Sequence, residues 1–309
     1  MFRSRVLFAV TALAAASAMT LTGCGSSGGG TGSGGGSTPA AGNTTPAAPV
    51  SSGGGSGASA AAALVPSAIK SKGTLTFAMD ATYPPDEMID KDGHTIIGFD
   101  ADLGNALAKE LGISADLKNV TFDNIIPGLQ SGKYDVGLSS FTDTKAREKV
   151  VDFVTYFQAG EGFYVKAGSS KKFDGLASLC NAKVAVENGT TEQTDAQSQA
   201  KKCKVDVLSF PDQNGANLAV SSGRADVGFA DSQVADYIVK QSNGQFESTG
   251  TAFAVAPYGI ALPKGNGMAQ AVQAGLKAMI ADGTYTQLLA KWGIQSGAIT
   301  DPVINGAQS

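Results

Sequence analysis

The feature of this chain that most constrains its fold is a short unit that occurs twice. Residues 131–138 and 222–229 both read Ser-Gly-(Lys/Arg)-X-Asp-Val-Gly, followed by a large apolar residue. A glycine can end a helix by adopting a positive φ, and the short apolar run after it suits a buried parallel strand. Because the two units lie about 90 residues apart, the sequence predicts two α/β lobes built on one plan.

The residues that follow the two units differ in their chemistry. The first unit leads into residues 139–142, Ser-Ser-Phe-Thr, and the second into residues 230–232, Ala-Asp-Ser. Ligands of open α/β sheets bind beyond the carboxyl ends of the strands, so one lobe would offer hydroxyls and the other a carboxylate. The pattern therefore predicts a cleft that holds a polar small molecule between two lobes. Taken singly, each unit is also compatible with ordinary strand–turn structure.

The apolar periodicity predicts several further elements. Leucines at 103, 107 and 111 favour a helix over residues 100–111, and similar spacing favours helices over 122–130 and 268–280. Short β-prone runs predict strands at 74–79, 95–99 and 183–186. Strands that alternate with helices in this way are typical of an α/β protein.

The N-terminus is typical of an exported protein. Arg3 and Arg5 precede an apolar run over residues 6–18 that is too short to span a membrane, so residues 1–23 are predicted to be a signal peptide. Residues 21–24, Leu-Thr-Gly-Cys, resemble a lipobox, in which cleavage precedes a lipid-modified cysteine. Acyl chains on Cys24 would hold the protein on the outer side of a bacterial membrane, in the periplasm or at the cell surface. The alternative is a secreted protein with an unmodified thiol.

Composition separates a tether from the globular part. Residues 24–66 are dominated by Gly, Ser, Thr, Pro and Ala and carry no charge, which predicts a disordered linker. The formal net charge of −4 and the scattered lysines and arginines argue against nucleic-acid binding. With Cys24 assigned to lipidation, Cys180 and Cys203 form an even pair that favours a disulfide in an oxidising compartment. Two separate buried thiols are the alternative.

No pattern of a catalytic, metal or cofactor site stands out. The only histidine, His94, follows Lys-Asp-Gly in a turn and is expected to be exposed. The sequence contains no nucleophile elbow, no glycine-rich phosphate loop and no Cys/His spacing of a metal site. We therefore expect a binding protein without a cofactor rather than an enzyme.

Five segments together resemble the family 3 extracellular solute-binding proteins, the polar amino-acid receptors of ABC importers. The resemblance runs from about residue 73 to 297. Its segments are Gly-Phe-Asp-Ala-Asp-Leu at 98–103, Ser-Phe-Thr-Asp-Thr-Lys-Ala-Arg at 140–147, Asn-Gly-Thr-Thr at 188–191, Gly-Arg-Ala-Asp at 223–226 with Asp231, and Asp-Gly-Thr-Tyr at 282–285 with Lys-Trp-Gly at 291–293.

The resemblance implies a type II periplasmic-binding-protein fold, in which two α/β lobes are joined by two hinge crossings. Lobe 1 would comprise residues 67–161 and 257–300, lobe 2 residues 162–256, and residues 301–309 a C-terminal tail or strap. The protein would act as a monomer that delivers its ligand to an ABC transporter permease in the membrane.

The resemblance also assigns the binding residues. Ser140, Thr142 and Arg147 would receive the ligand's α-carboxylate, with a guanidinium suited to bidentate contact and Thr191 assisting from lobe 2. Asp231 would accept the α-ammonium, while Tyr83 and Phe122 would form the walls of the side-chain pocket. As residues taken singly, Arg147 would instead pair with Asp143 or Glu148, Asp231 would cap a helix, and the aromatics would be core.

Selectivity is expected to follow from acidic residues around the side-chain pocket. Asp80 and Glu187 would face this space, with Glu87 near its mouth, and carboxylates there favour a basic amino acid. Glutamine or asparagine is the runner-up, because Glu187 could instead face solvent or pair with a lysine. The family usually has an aromatic residue two positions beyond the Pro-Pro position, whereas this chain reads Pro84-Pro85-Asp86-Glu87, and it usually has a larger aliphatic residue than Ala101.

One enzyme alternative exists on the same fold. Cyclohexadienyl and arogenate dehydratases place a general-acid glutamate just after the glycine–threonine turn of lobe 2, and Glu192 follows that turn here. A glutamate at this position is also common in plain receptors, where it faces solvent or begins a helix. The enzyme therefore ranks well behind the receptor.

Overall fold

The computed structural model of the protein describes residues 55–308, with side chains from residue 60 onward. The predicted signal peptide, Cys24 and Ser309 lie outside the described residues. Within residues 55–308, none of the helices combines the length and the apolar character that a membrane crossing requires.

The described residues alternate helices and strands, as expected for an α/β protein. The helices are α1 (Gly55–Leu64), α2 (Ser67–Lys72), α3 (Phe99–Glu110), α4 (Phe122–Gln130), α5 (Thr191–Ala200), α6 (Gln213–Ser221), α7 (Ser232–Gln241), α8 (Met268–Ala281) and α9 (Thr284–Trp292). The strands are β1 (Thr74–Met79), β2 (Thr82–Tyr83), β3 (Glu87–Ile89), β4 (Ile96–Ile97), β5 (Ser114–Asn119), β6 (Val136–Gly137), β7 (Val151–Lys166), β8 (Lys183–Glu187), β9 (Asp206–Phe210), β10 (Val227–Asp231) and β11 (Phe246–Pro263).

One eight-stranded sheet runs through both lobes in the order β5-β1-β6-β11-β7-β10-β8-β9. Strands β5, β1 and β6 are parallel and belong to lobe 1, while β10, β8 and β9 are parallel and belong to lobe 2. The long antiparallel strands β7 and β11 connect the two lobes, and their register shifts near Phe253 and Ala256. The two hinge crossings implied between the lobes fall within these strands, and the predicted two-lobed fold is confirmed.

The repeated unit has the same structural role in both lobes. The main-chain N–H of Asp135 donates to the carbonyl of Thr76 at 3.0 Å, and the N–H of Thr76 donates back to Asp135 Oδ2 at 2.7 Å. Asp226 and Lys183 exchange the corresponding bonds at 2.8 and 2.9 Å. Each aspartate therefore ties the start of its own strand to the start of the neighbouring parallel strand, which accounts for the repetition.

The predicted linker is wrong from residue 55 onward. Residues 55–64 form α1, which packs against α8 and α3 of lobe 1. Ala61 is fully buried and Val65 is 4 % exposed. Alanine has the highest helix propensity, so an alanine-rich stretch forms a helix once an apolar surface covers one side of it. By composition alone these alanines resemble the Gly, Ser, Pro and Ala residues that precede them.

The C-terminal segment is a strap along β7. The N–H of Asn305 donates to the carbonyl of Phe153 at 2.9 Å, and the N–H of Phe153 donates to Asn305 Oδ1 at 2.8 Å. The N–H of Thr155 donates to the carbonyl of Val303 at 2.9 Å. Residues 303–305 thus add main-chain bonds to lobe 1, which decides between the strap and the tail that the sequence left open.

Cys180 and Cys203 form the predicted disulfide, with 5.6 Å between their Cα atoms. The bridge joins the chain before β8 to the chain after α5, and these two elements carry Glu187 and Thr191. A loop of this size, closed across 23 positions, typically stabilises a domain by about 3 kcal/mol.

We expect reduction of this disulfide to lower the free energy of unfolding by about 3 kcal/mol. Urea unfolding with and without a reductant measures the loss. The variant Cys180→Ser/Cys203→Ser is the control, because its midpoint should not respond to the reductant. Equal midpoints for the oxidised and reduced wild type would contradict the prediction.

Candidate ligand-binding site

The candidate site is a cavity between the lobes at the carboxyl ends of β1, β6, β8 and β10. All nine predicted binding residues line it: Asp80, Tyr83, Phe122, Ser140, Thr142, Arg147, Glu187, Thr191 and Asp231. Ser139, Thr190 and Glu192 line it as well and were not among the predicted residues. The lobes meet across the cavity, where the hydroxyl oxygens of Thr142 and Thr191 lie 3.3 Å apart.

Arg147 bridges the two lobes. Its Nη1 donates to the carbonyl of Thr142 in lobe 1 at 2.8 Å, and its Nη2 donates to the carbonyl of Gly189 in lobe 2 at 2.7 Å. The guanidinium carbon lies 5.5 Å from the ring centroid of Phe122, a distance typical of cation–π contact. A guanidinium has five N–H donors, so further donors remain for an anion.

In the structure, Arg147 does not pair with Asp143 or Glu148, and the side chain of Asp231 does not cap a helix. Glu148 pairs with Lys145 at 3.1 Å, and none of the ion pairs in the described residues involves Arg147. Asp231 precedes α7 in the N-cap position, but its side chain makes no capping hydrogen bond. Both charged groups are therefore available to a ligand.

The Asp231 carboxylate is held by Tyr83 across the lobes. The Tyr83 hydroxyl donates to Asp231 Oδ2 at 2.8 Å, and the main-chain N–H of Asp231 donates to the same hydroxyl at 3.0 Å. Asp231 is 6 % exposed. Burial, reinforced by the charge of Glu192, raises the pKa of the Asp231 carboxyl well above its ordinary value. A cationic group placed here would restore the ionised form.

Ser140 is arranged as an acceptor, which differs from its predicted role as a donor to the α-carboxylate. Its hydroxyl donates to Asp86 Oδ2 at 2.8 Å, and its main-chain N–H donates to Asp100 Oδ2 at 2.9 Å. Both of its donors are thus used by buried carboxylates of lobe 1. Only the lone pairs of the hydroxyl remain for a ligand, and these suit a positively charged group.

Asp80 and Glu187 both line the cavity. Asp80 accepts from the Thr82 hydroxyl at 2.7 Å and from the N–H of Phe122 at 2.9 Å. Burial raises the pKa of both carboxyls, and the charge of the neighbouring Asp80 raises that of Glu187 further. The two buried carboxyls thus lie close to each other, and burial favours the protonated form of Glu187.

Glu187 takes neither of the alternative positions considered for it. Glu187 is only 2 % exposed, so it does not face solvent. None of the ion pairs in residues 60–308 joins it to a lysine. Its Oε1 is buried without a hydrogen-bond partner. The side chain thus presents an unsatisfied acceptor beside the cavity.

Glu87 does not reach the mouth of the pocket, and that expectation is wrong. It is fully buried, and Ser139 Oγ donates to its Oε1 at 2.7 Å. The antiparallel pairing of Glu87 with Tyr83 in the small β2-β3-β4 sheet places it behind the cavity. Burial, together with the charge of Asp100, raises the pKa of the Glu87 carboxyl well above its ordinary value.

Glu192 lines the cavity instead of facing solvent. It lies in the first turn of α5 and is 1 % exposed, and the Thr191 hydroxyl donates to its Oε2 at 3.2 Å. Its Oε1 has no partner, and burial raises the pKa of its carboxyl. The sequence named Glu192 only as the general acid of the enzyme alternative, from its position after the glycine–threonine turn. Ser139 and Thr190 could have been predicted as lining residues because they are next to Ser140 and Thr191 in the sequence.

The site shows no metal centre in the described residues. No group of three or more His, Cys, Asp or Glu side chains in residues 60–308 is arranged to hold a metal ion. His94 lies in an exposed turn, as the sequence predicts, with 80 % of its side-chain surface accessible.

Comparison with known proteins places this geometry in a family. Residues 75–295 match the bacterial extracellular solute-binding proteins, family 3. The arginine-binding protein ArgT of Corynebacterium glutamicum is 33 % identical over 79 % of this chain and 82 % of its own length. The structure of an ancestral arginine-binding protein bound to arginine has a TM-score of 0.68 and 38 % identity, over 71 % of this chain and 98 % of that one.

A further solved structure bears on the enzyme alternative. It is an ancestral amino-acid-binding protein, AncCDT-1, described as a precursor of cyclohexadienyl dehydratase. It has a TM-score of 0.67 and 39 % identity, over 73 % of this chain and 97 % of that one. Both structural relatives share the two-lobed fold described above. The chain belongs to the bacterial extracellular solute-binding proteins of family 3.

Proposed function

We propose that the protein captures a free L-α-amino acid with a cationic side chain outside the cytoplasm and delivers it to the permease of an ABC importer. The proposal is supported by the charges that line the cavity and by the arginine-binding relatives. Ligand contacts to both lobes favour the closed arrangement, which is the form that a permease would recognise.

The α-amino-acid clamp uses groups of both lobes. Arg147 receives the α-carboxylate with its remaining N–H donors, because two of its five are used by main-chain carbonyls. Thr142 and Thr191 lie beside it at the lobe junction, where the Thr191 hydroxyl already donates to Glu192. Asp231 receives the α-ammonium, and Ser140 assists as an acceptor because its hydrogen is held by Asp86. This division places positive charge opposite the carboxylate and negative charge opposite the ammonium.

The Asp80–Glu187 pair is the observation that carries the choice of a basic side chain. Two neighbouring buried carboxyls line the cavity, and Glu187 Oε1 has no partner. A guanidinium or ammonium supplies the missing donors and charge, whereas an acidic side chain would be repelled. Phe122 offers a flat face for a guanidinium or for the methylenes of lysine. The amide of glutamine also donates to both carboxyls, so glutamine is the second choice.

We expect arginine and lysine to bind more tightly than glutamine, and glutamine far more tightly than glutamate or aspartate. Isothermal titration against these five amino acids measures the order. The variant Glu187→Gln is the control, because removing one carboxyl should narrow the gap between arginine and glutamine by roughly tenfold or more. Tighter binding of glutamate or aspartate than of all the others would refute the electrostatic argument.

We expect arginine binding to release more protons than glutamine binding. Because its pKa is raised, Glu187 keeps its proton above the ordinary value of 4.5, and a bound cation lowers that pKa again. Arginine affinity should therefore rise with pH more steeply than glutamine affinity between 4.5 and the raised pKa. Titrations in buffers of different ionisation enthalpy measure the difference. The difference in proton release between the two ligands should vanish in Glu187→Gln. If the affinities of the wild type for arginine and glutamine changed equally with pH, the assignment of Glu187 to the side-chain pocket would be contradicted.

A dehydratase is the second candidate, and Glu192 is the observation that favours it. A buried carboxyl in the cavity whose pKa is raised by burial is chemically suited to act as a general acid. The substrates of such enzymes carry a second carboxylate, however, and the Asp80–Glu187 end of the cavity repels negative charge. Incubation with prephenate or arogenate, followed by assay for phenylpyruvate or phenylalanine, tests the enzyme. Product formation that is lost in Glu192→Gln would establish it.

Lipid anchoring is part of the proposal. Cys24 and the lipobox-like residues 21–24 support attachment to the outer face of the membrane, with the globular part acting as a monomer. Detergent phase partition of the expressed wild type against Cys24→Ala tests the anchor. Recovery of both proteins in the aqueous phase would exclude it.

A further inference from the structure

Asp86 lies behind the cavity and is linked to the clamp described above only through Ser140. It follows Pro85 in the segment between β2 and β3 and is 1 % exposed. It does not line the cavity. A buried carboxylate at such a place requires hydrogen-bond partners that stabilise it.

The partners of Asp86 come from both lobes. Its Oδ2 accepts from Ser140 Oγ of lobe 1 at 2.8 Å and from Gln233 Nε2 of lobe 2 at 2.9 Å. Gln233 lies on α7, and its Nε2 also donates to the Tyr258 hydroxyl of β11 at 2.6 Å. One carboxylate oxygen thus joins a residue of the ligand site to a helix of the opposite lobe.

These contacts give Asp86 two effects on ligand binding. A serine hydroxyl has a single hydrogen, so its donation to Asp86 leaves Ser140 Oγ with only acceptor lone pairs for the ligand. The bond from Gln233 spans the lobes, so it contributes to the closed arrangement and not to either lobe alone. Hydrogen bonds to an ionised acceptor are stronger than those between neutral groups.

We propose that Asp86 is a positioning residue for amino-acid binding. It orients Ser140 toward the ligand's α-ammonium, and it holds lobe 2 against lobe 1 through the hydrogen bond from Gln233, which we call the latch. The proposal rests on the proposed function. Every α-amino acid presents the same ammonium group, so the contribution of Asp86 is independent of the ligand's side chain. Glu187, in contrast, acts on the side chain alone.

The first experiment compares two substitutions of Asp86 by isothermal titration. Asp86→Leu should weaken arginine and glutamine binding by the same factor, about tenfold to a hundredfold, because two hydrogen bonds to a charged acceptor are lost. Asp86→Asn keeps an acceptor oxygen and should recover most of the affinity. Unchanged binding in Asp86→Leu, or a loss confined to arginine, would overturn the proposal. Thermal unfolding of each variant separates a loss of binding from a loss of fold.

The second experiment tests the latch by a double-mutant cycle. Gln233→Leu should weaken binding of both amino acids, and Asp86→Leu/Gln233→Leu should bind no more weakly than Asp86→Leu alone. Gln233 is only half-buried, so this variant is expected to fold. Asp236→Asn is the control on the same helix, because Asp236 contacts Ser248 of lobe 2 and should leave affinity unchanged. Fully additive losses would overturn the latch.

A ligand-independent measurement distinguishes this proposal from the proposed function. If the wild type binds none of the amino acids, the proposed function fails, and amide hydrogen exchange still reports on the latch. Gln233→Leu should then raise exchange at residues 82–89 of lobe 1 relative to both the wild type and Asp236→Asn. Unchanged exchange there would overturn the latch. Normal amino-acid binding by Asp86→Leu would overturn the positioning role while leaving the proposed function intact.

Discussion

Replacing Arg147 by alanine is expected to lower the affinity for the amino acid on the order of a thousandfold while leaving the fold intact. Truncating one partner of an enclosed, hydrogen-bonded charge pair costs about 2–5 kcal/mol, and the ligand's carboxylate would be left without its cation. Arg147 also contributes the bond to the carbonyl of Gly189 that joins the lobes. Isothermal titration with the best ligand measures the loss, and circular dichroism checks the fold.

The chain offers a matched control for this substitution. Arg224 also stacks on an aromatic ring, with its guanidinium carbon 5.4 Å from the ring centroid of Phe210, but it lies outside the cavity. Arg224→Ala should therefore bind the amino acid as tightly as the wild type. Near-wild-type affinity in Arg147→Ala, or an equal loss in Arg224→Ala, would remove Arg147 from the clamp.

The second large effect is expected for Asp231→Asn, which should weaken amino-acid binding about a hundredfold. The substitution keeps the size of the side chain and a hydrogen-bond acceptor but removes the charge that faces the α-ammonium, and charged partners contribute the larger share of such contacts. A ligand that lacks the α-amine should lose far less affinity, because it makes no use of Asp231. Parallel titrations with the two ligands measure both losses.

The control for Asp231 lies on the helix that follows it. Asp236→Asn removes the same charge from lobe 2 at a position whose carboxylate bonds to Ser248 and does not line the cavity. It should leave both ligands unaffected. Equal losses for the two ligands in Asp231→Asn would show that Asp231 supports the fold or the Tyr83 contact and not the ammonium.

Periodicity and motifs predicted much of the architecture. The helix predicted over residues 122–130 is α4, and the one over 268–280 is α8 to within a residue. The predicted run at 95–99 is shorter in the structure, because only Ile96 and Ile97 are paired and Phe99 already begins α3. Phe99 is buried against Tyr156 and Phe157, so tertiary packing decided what a short apolar run alone leaves ambiguous.

The site residues that belong to a motif could be predicted from the sequence. Those whose position depends on burial in the folded protein could not. Arg147 and Asp231 follow from motifs, and the structure brings both into the cavity. The orientation of a carboxylate depends on three-dimensional packing, so the sequence alone placed Glu87 too far out and left Glu192 open between a general acid, a solvent-facing side chain and the start of a helix. The sequence also could not show that the Ser140 hydroxyl acts as an acceptor, because this depends on Asp86, which lies 54 residues away along the chain.

The connectivity of the two lobes has an evolutionary consequence. Lobe 2 is one uninterrupted stretch between β7 and β11, whereas lobe 1 is assembled from the chain on both sides of it, including α1 and the strap. The acidic residues Glu187, Glu192 and Asp231 all lie in that stretch, while Arg147 lies outside it. Recombination within the two long strands would therefore exchange these three acidic residues together, while Arg147 and Asp80 would stay with lobe 1.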